Sequence, residues 1–284
     1  MPDENYKIRK MLGSEVDMAI ELAAQEGWNP GLHDSECFYK TDPAGFLIGV
    51  LNDQPIGCIS AVSYENNFGF IGLYIVKPVF RRLGYGIRLF QAALQQLEGH
   101  SIGLDGVIEQ EQNYMKFGFQ TAYRNRRFEG LIPELPRLSS PEIVSLNNIS
   151  FSKVNEYDRQ CFPSERSAFL TRWISMPDST ALGLIEQDNL KGFGVVRQCY
   201  HGYKIGPLFA DNSEVAETIY LGLVSRIPAG LPVYLDIPDP NSQASVLVQK
   251  FNLREVFATV RMYSRGEPHI DLDKVYGVTT FELG

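Results

Sequence analysis

The chain repeats one set of short motifs at an offset of about 134 residues, and this repeat limits the fold more than any other feature. Three motif pairs share one order: IGLY at Ile71 with IGPL at Ile205, LDGV at Leu104 with LDIP at Leu235, and KFGF at Lys116 with KFNL at Lys250. Residues 46–62 and 181–196 form a fourth pair, in which a short Asn/Asp/Gln turn joins two apolar runs as in a β-hairpin. Four pairs in one order predict two domains of the same fold.

A proline-bearing stretch, LIPELPRLSSPE, lies between the two copies and predicts a linker. We expect a first domain over residues 1–130, a linker over residues 131–144 and a second domain over residues 145–284. The length of 284 residues suits two domains of ordinary size.

The first copy alternates between segments with strand periodicity and segments with helix periodicity. Hairpin strands come first and a strand–helix–strand crossover follows, which predicts a mixed α/β (α+β) domain. Ser14 is a good N-cap residue, so we expect the first helix to begin there. The predicted elements are helices over 14–25, 34–39, 85–97 and 109–117, and strands over 45–51, 55–64, 69–76, 101–107 and 120–128. The buried face of the third helix is expected to carry Ile87, Phe90, Leu94 and Leu97.

The charge balance and the cysteine spacing argue against several classes of function. With 34 acidic and 26 basic residues the net charge is −8, and no basic face predicts nucleic-acid binding. An acidic body is compatible with a cationic substrate such as an amine. The four cysteines lie far apart without metal-ligand spacing, so we expect no metal site. The charged first ten residues and the lack of a long apolar run predict a cytoplasmic protein with no secretory signal and no membrane contact.

The Gly-rich stretch RRLGYG, residues 81–86, lies between a predicted strand and a predicted helix. Gly84 can adopt a positive φ, and Gly86 lets a ligand approach the backbone closely. The N–H groups at the start of a helix attract anions, and Arg81 and Arg82 add positive charge. The stretch matches neither the dinucleotide fingerprint nor the P-loop, because the third glycine of the former and the Gly-Lys pair of the latter are missing. A pyrophosphate site and a plain strand-to-helix turn remain the two alternatives.

Two motifs of the first half together resemble the GNAT acyl-CoA N-acyltransferase superfamily. Arg81, Gly84 and Gly86 match its signature [Q/R]-x-x-G-x-[G/A], which follows the fourth strand. Tyr114 matches the family's tyrosine four residues before a Gly-Phe pair, here GF at 118–119. The second half is similar to YitH-type GNAT domains in ER at 165–166, YKIGPLFAD at 203–211 and RMY at 261–263. The resemblance implies two tandem GNAT-like domains, each with a mixed central sheet flanked by helices and a splayed strand pair.

The resemblance also implies an acyl-CoA site, with acetyl-CoA as the default, where the strands at 69–76 and 101–107 splay apart. Backbone groups of the first strand would bind the pantetheine and polarise the thioester carbonyl, and the turn after it would bind the pyrophosphate. The expected cofactor-binding residues are Leu73, Tyr74, Ile75, Val76, Arg81, Arg82, Leu83, Gly84, Tyr85, Gly86, Ile87 and Asn113.

The implied reaction is N-acetylation of a primary amine by direct attack in a ternary complex. Tyr114 is expected to protonate the leaving thiolate, because a phenol can donate to a thiolate of comparable basicity. A general base must take the proton of the amine, and Glu65, Asp105 and Asp34 are the candidates. By their positions in the chain, the residues expected to line the acceptor site are Trp28, Asn29 and Asp34.

The second copy lacks the catalytic motifs. No RxxGxG follows YKIGPLFAD, and Val248 stands where the first copy has Tyr114. We therefore expect a degenerate domain that shapes the acceptor site, docks against the first domain or forms a homodimer contact. The alternative to an enzyme is a non-catalytic acyl-CoA sensor with tandem GNAT folds, although a sensor would not need Tyr114. The acceptor, a small-molecule amine or a peptide amine, is not specified by any readable motif.

Overall fold

The computed structural model describes residues 5–132, 134, 136 and 142–284. The helices of these residues are α1 Gly13–Gln25, α2 Asp34–Thr41, α3 Tyr85–Gln96, α4 Glu111–Met115, α5 Phe151–Cys161, α6 Ser167–Trp173, α7 Ser213–Val224 and α8 Ser242–Lys250. The strands of the first half are β1 Tyr6–Lys10, β2 Phe46–Leu51, β3 Gln54–Tyr64, β4 Phe68–Val76, β5 Ser101–Val107 and β6 Gln120–Leu131. Those of the second half are β7 Ile143–Ser145, β8 Ser179–Glu186, β9 Asn189–Gln198, β10 Tyr203–Ala210, β11 Pro232–Pro238, β12 Arg254–Tyr263 and β13 Val275–Gly277. The mixed α/β class predicted from the sequence is confirmed.

Two local predictions for the helices are wrong in detail. Helix α1 begins at Gly13, so Ser14 lies inside its first turn; the carboxylate of Glu15 accepts the Leu12 amide at 2.8 Å and satisfies the helix start instead. In α3 the side chain of Ile87 is 50 % exposed, and Leu89 takes the expected place on the buried face.

The matching hairpins have matching turns. Residues 52–53 join β2 to β3, and residues 187–188 join β8 to β9. All four turn residues have a positive φ, between 48° and 64°, which is the geometry of a two-residue type I′ turn. Asn and Asp tolerate this conformation well, so the polar turns of the repeat encode the same hairpin twice.

The two copies exchange strands within one continuous sheet. The strand order is β1-β2-β3-β4-β5-β12-β6-β11-β10-β9-β8-β7, and β13 pairs with β10 away from this path. Strand β12 of the second half is antiparallel to both β5 and β6 of the first half. Strand β6 of the first half pairs in turn with β11 of the second. Each half therefore completes its sheet with a strand from the other.

Aromatic side chains also join the two halves in one buried core cluster. The rings of Phe38 and Trp173 stack with centroids 6.1 Å apart. Phe162 lies edge-on to Tyr64 at 5.2 Å and to Phe68 at 5.5 Å. All five rings are buried, so the halves share apolar surface as well as backbone hydrogen bonds.

The predicted linker at 131–144 is only partly described. Residues 133, 135 and 137–141 lie outside the described residues, while Leu131 ends β6 and Ile143 begins β7. Across the part of the chain that is described, no helix has the length and apolar character needed to cross a membrane.

Candidate active site

A cleft of about 660 Å³ opens where β4 and β5 separate. The two strands pair in parallel only from residues 68–71 to residues 101–104. Beyond that point β5 continues its pairing with β12, so one side of β4 is left without a neighbouring strand from Gly72 onward. The splayed pair expected from the GNAT resemblance is therefore present in the first half.

An irregularity in β4 shapes the wall of this cleft. The register between β3 and β4 shifts between Cys58 and Ser60, and Leu73 adopts a φ of 45°. The Cys58 thiol donates to the Leu73 carbonyl at 3.2 Å. All four β4 residues predicted to bind the pantetheine, Leu73 to Val76, line the cleft.

The turn after β4 lies at the mouth of the cleft. Arg82 has a φ of 62° and Gly84 a φ of 89°, immediately before α3 begins at Tyr85. A side chain at Gly86 would come within 2.7 Å of the Tyr74 hydroxyl, so glycine avoids a clash at this close approach. The predicted residues of the turn that line the cleft are Arg81, Arg82, Gly84, Gly86 and Ile87.

The two arginines of the turn, Arg81 and Arg82, differ in their contacts. Arg81 donates to the Val76 carbonyl at 2.7 Å and forms an ion pair with Glu26, so its guanidinium ties the turn to β4 and to the end of α1. Arg82 is exposed at the cleft, and no ion pair engages it within the described residues. Arg82 is thus the arginine that is free to meet an anionic ligand.

Three of the predicted cofactor residues have side chains outside the cleft. The side chain of Leu83 is 57 % exposed, and Tyr85 is buried against Tyr6 with ring centroids 4.8 Å apart. Asn113 is exposed and bonds to Gln110 at 2.7 Å and Lys116 at 3.0 Å. A role for Leu83 and Tyr85 in binding therefore depends on their backbone amides.

Tyr114 lines the cleft from α4. Its ring lies against Gly106 of β5, where any larger side chain would overlap it, and 5.5 Å from the ring of Phe90. No hydrogen bond engages its hydroxyl among the residues described, and burial raises the pKa of Tyr114 above the ordinary value of a phenol. A protonated phenol facing a cleft is able to donate a proton or a hydrogen bond.

Asp105 also borders the cleft, but its carboxylate is fully engaged. Arg261 donates to it twice, at 2.9 and 2.6 Å, and Asn125 donates at 2.7 Å. Burial raises the pKa of Asp105, and the Arg261 guanidinium opposes that rise. A carboxylate held by a bidentate arginine is poorly placed to accept a substrate proton, so the geometry does not favour Asp105 as the base.

The other two candidate bases do not reach the cleft. Glu65 lies exposed on a short 3₁₀ turn after β3, where its backbone carbonyl accepts the Ser164 hydroxyl. Asp34 is buried, where it accepts the Gly31 amide at 2.7 Å and pairs with Arg197. Its partner comes from β9, which explains why the position of Asp34 in the chain was a poor guide to its role.

Of the predicted acceptor-site residues, Trp28 lines the cleft and Asn29 does not. Asn29 instead bonds to the backbone of His201 through both ends of its amide, each at 2.9 Å. It thereby holds the loop after α1 to the second half.

Four further residues of the cleft come from the second half and were not predicted: Phe257, Thr259, Phe281 and Glu282. The Thr259 hydroxyl is buried without a hydrogen-bond partner among the residues described. The first two lie on the exchanged strand β12, and the last two follow β13. No motif marks them, and strand exchange is what brings them to a cleft of the other half.

The corresponding gap of the second half is filled by the chain itself. Strands β10 and β11 pair in parallel only from residues 203–205 to residues 233–235 and then separate. Strand β13 enters this gap antiparallel to β10, and the Val278 amide donates to the Asp236 carbonyl of β11 at 2.8 Å. The first cleft is open, and its counterpart is closed by main-chain pairing.

Comparisons with known proteins agree with both halves of this architecture. A model described as "Acetyltransferase (GNAT) family" matches residues 15–119, and one described as "Acetyltransferase (GNAT) domain" matches residues 154–277. Holothin acyltransferase of Pseudoalteromonas sp. (strain SANK 73390) is 32% identical over 273 residues, covering 95% of this chain and 92% of that protein. The chain belongs to the GNAT family.

Other GNAT relatives extend the likeness over the whole chain. The uncharacterized N-acetyltransferase YitH of Bacillus subtilis (strain 168) is 28% identical, with 84% of each chain covered. A crystal structure from Pyrococcus horikoshii, proposed to be an acetyltransferase, superposes with a TM-score of 0.83 at 27% identity and covers 100% of this chain and 98% of that one. GNAT proteins transfer acyl groups from acyl-CoA to amines, and this tandem GNAT chain is accordingly an acyltransferase.

Proposed function

We propose that this GNAT chain transfers an acetyl group from acetyl-CoA to a primary amine by direct attack in the cleft between β4 and β5. One observation carries the proposal: the Gly-rich turn and Tyr114 border the same open cleft, whereas the matching gap of the second half is filled by β13. Residues 1–130 then form the catalytic domain, residues 131–144 the linker, and residues 145–284 a degenerate domain that supports it.

The residues of the first cleft fit an acyl-CoA. Amides at the start of α3 and the free guanidinium of Arg82 suit a pyrophosphate, because a helix N-terminus and a fixed positive charge both favour anions. The absence of a side chain at Gly86 leaves the backbone open to close approach. The unpaired side of β4 offers backbone groups to the pantetheine amides and to the thioester carbonyl.

The chemistry requires proton transfers that the chain must provide. An amine with a pKa near 10 is neutral in only about one molecule in a thousand at pH 7, which adds roughly 4 kcal/mol to the barrier unless a base relieves it. When the bond between the carbonyl carbon and sulfur breaks, the electron pair leaves with sulfur, and Tyr114 supplies the proton that converts the thiolate to a thiol.

The relatives' names support this reading at two levels. Holothin acyltransferase is named for acyl transfer, and YitH is named as an N-acetyltransferase. The choice of acetyl and of a primary amine is the part that needs experiment.

The test is release of CoA thiol from acetyl-CoA in the presence of a panel of primary amines. We expect amine-dependent release by the wild type and a KM for acetyl-CoA about tenfold higher in Arg82→Ala, because one charge-assisted hydrogen bond is lost. Arg254→Ala, which removes an arginine whose side chain is 77% exposed and does not line the cleft, is the matched control. A protein that binds acetyl-CoA tightly but releases no thiol with any amine is a sensor and contradicts the proposal.

A further inference from the structure

The segment after β13, residues 278–284, runs from the filled gap of the second half to the open cleft of the first; we call it the closing segment. Its first amide bonds to β11, as described above. Farther along, the Tyr64 hydroxyl donates to the Leu283 carbonyl at 2.9 Å, and Arg166 donates to the Gly284 carbonyl at 2.7 Å. The closing segment is thus anchored to both halves.

The closing segment forms part of the cleft wall through Phe281 and Glu282. It lies so close to β4 that a side chain at Gly72 would overlap the backbone carbonyl of Glu282. Gly72 directly precedes Leu73, where β4 leaves its regular pairing. The closing segment therefore meets β4 at the point where an acyl thioester is expected.

The carboxylate of Glu282 differs from the other buried carboxylates of the protein. Asp34, Asp105, Asp158 and Asp236 each accept two hydrogen bonds from a single arginine. Glu282 is only 3% exposed, yet within the described residues no basic group lies within ion-pair distance of it. Its Oε2 accepts the Thr280 hydroxyl, no hydrogen bond engages Oε1 among the residues described, and Glu282 lines the cleft.

The charged groups near Glu282 are already occupied. Asp105, Arg127, Arg197 and Lys204 all interact with it electrostatically. Asp105, Arg127 and Arg197 each form an ion pair with another residue. Lys204 donates to the Asn29 carbonyl at 2.9 Å. A buried carboxylate that no cation contacts directly is costly, and the ammonium group of a substrate in the cleft would supply that contact.

We propose that Glu282 is the general base, which takes a proton from the ammonium group of the acceptor in the first-half cleft. This inference rests on the proposed N-acetyltransferase function and deepens it. The second half, although degenerate, would then supply a catalytic residue to the active cleft of the first. The aromatic side chains of Trp28, Phe257 and Phe281 line the same cleft and suit an amine carried on an apolar or aromatic body.

The proton and electron balance of this step is complete. Glu282 removes one proton from the ammonium, and the freed lone pair forms the bond to the thioester carbon. When the carbon–sulfur bond breaks, sulfur keeps the electron pair and takes the proton of Tyr114. The acylated nitrogen then passes its surplus proton to the Tyr114 phenolate, and Glu282 releases its proton to solvent. The products are an amide, a thiol and one proton.

The experiment compares wild type with Glu282→Gln and Glu282→Asp in the CoA-release assay, from pH 6 to pH 10. Acceptors are 2-phenylethylamine, spermidine and a peptide with a free N-terminus, and the control is Glu267→Gln at an exposed position outside the cleft. At pH 7 we expect kcat of Glu282→Gln to fall about 100-fold with an unchanged Kd for acetyl-CoA. The defect should shrink about tenfold per pH unit toward the pKa of the amine, because the neutral fraction of the amine then rises by itself.

The other outcomes show whether the proposed function fails or only the assignment of Glu282 as the base. A wild type that releases no thiol with any amine overturns the proposed function and the base together. If the wild type turns over, a Glu282→Gln enzyme with the wild-type rate overturns the base alone. A rate loss that does not change with pH, or a rise only in the KM of the amine, also overturns it, because such effects belong to a structural or binding role. Glu282→Asp should recover part of the rate, since it keeps a carboxylate.

Discussion

At the scale of single residues, Tyr114 is the group whose removal should affect chemistry most cleanly. Replacing it by phenylalanine keeps the ring against Gly106 and Phe90 and removes only the hydroxyl. We expect Tyr114→Phe to lower kcat about 100-fold and to change the Kd for acetyl-CoA little, because loss of a positioned proton donor costs at least that factor. Steady-state kinetics and equilibrium binding measure the two quantities. The control is Tyr220→Phe, a buried tyrosine packed on Phe251 in the second half, and an unchanged kcat in Tyr114→Phe would remove Tyr114 from the mechanism.

The pH dependence of kcat gives a second residue-scale prediction. Burial raises the pKa of Tyr114 above 10, so the phenol remains protonated at every lower pH. An acid in its protonated form is active, and we therefore expect no fall in kcat from deprotonation of Tyr114 below pH 10. A descending limb near pH 8 or 9 that disappears in Tyr114→Phe would contradict this assignment.

Sequence reasoning located the residues of the cleft where a local pattern encodes them. Gly84 has the positive φ that the turn needs, Gly86 lies close to the Tyr74 hydroxyl, and both stand where the motif predicts. The sequence offers Asp34 and Asp105 as candidate bases but does not show their partners. Arg197 and Arg261, which hold these two carboxylates, come from strands more than 150 residues farther along the chain, and no local pattern reveals such a pairing.

At the scale of elements, the contact between β4 and the closing segment makes a sharp prediction at Gly72. In Gly72→Ala the new methyl group overlaps the Glu282 carbonyl, so either β4 or the closing segment must move. We expect about 1 to 3 kcal/mol loss in the free energy of unfolding, measured in urea, together with a lower kcat. Gly222→Ala in α7 is the control, because only side-chain tips lie near it, at 3.3 Å or more, and alanine favours the helix. A Gly72→Ala protein with wild-type stability would contradict the close contact.

Most elements were predictable because their signals are local. The two hairpins, the helix after each fourth strand and the order of the elements all follow from periodicity and turn residues. Strand β1 was missed, since three of its five residues are charged and it has little apolar pattern. Strand β13 was missed because a three-residue strand carries too little pattern, and its place in the gap between β10 and β11 depends on contacts distant in sequence.

At the scale of the whole molecule, strand exchange should make the two halves unfold together. Trp28 belongs to the first half and Trp173 to the second, where its ring stacks on Phe38 of the first half, so each single-tryptophan variant keeps one probe at a known place. We expect the fluorescence transition in urea to coincide with the far-UV circular dichroism transition in both Trp28→Phe and Trp173→Phe, although the two variants have different midpoints. Separate fluorescence and circular dichroism midpoints within either variant would show that the halves unfold independently.

The sequence predicts the two copies but not their exchange of strands. A repeat has the same offset whether β6 and β12 pair within their own copy or across copies. The motif pattern therefore does not distinguish the two pairings. Through this exchange the second half supplies β12 and the closing segment to the cleft of the first. A homodimer remains a prediction from the sequence.

A crystal structure with CoA bound would show whether the open cleft of the first half is the acyl-CoA site. We predict one CoA per chain, with its pyrophosphate at the turn of Arg82 to Ile87 and its thiol facing Tyr114, while β13 keeps its pairing with β10. A CoA molecule between β10 and β11, with β13 displaced, would instead assign the acyl-CoA site to the second half.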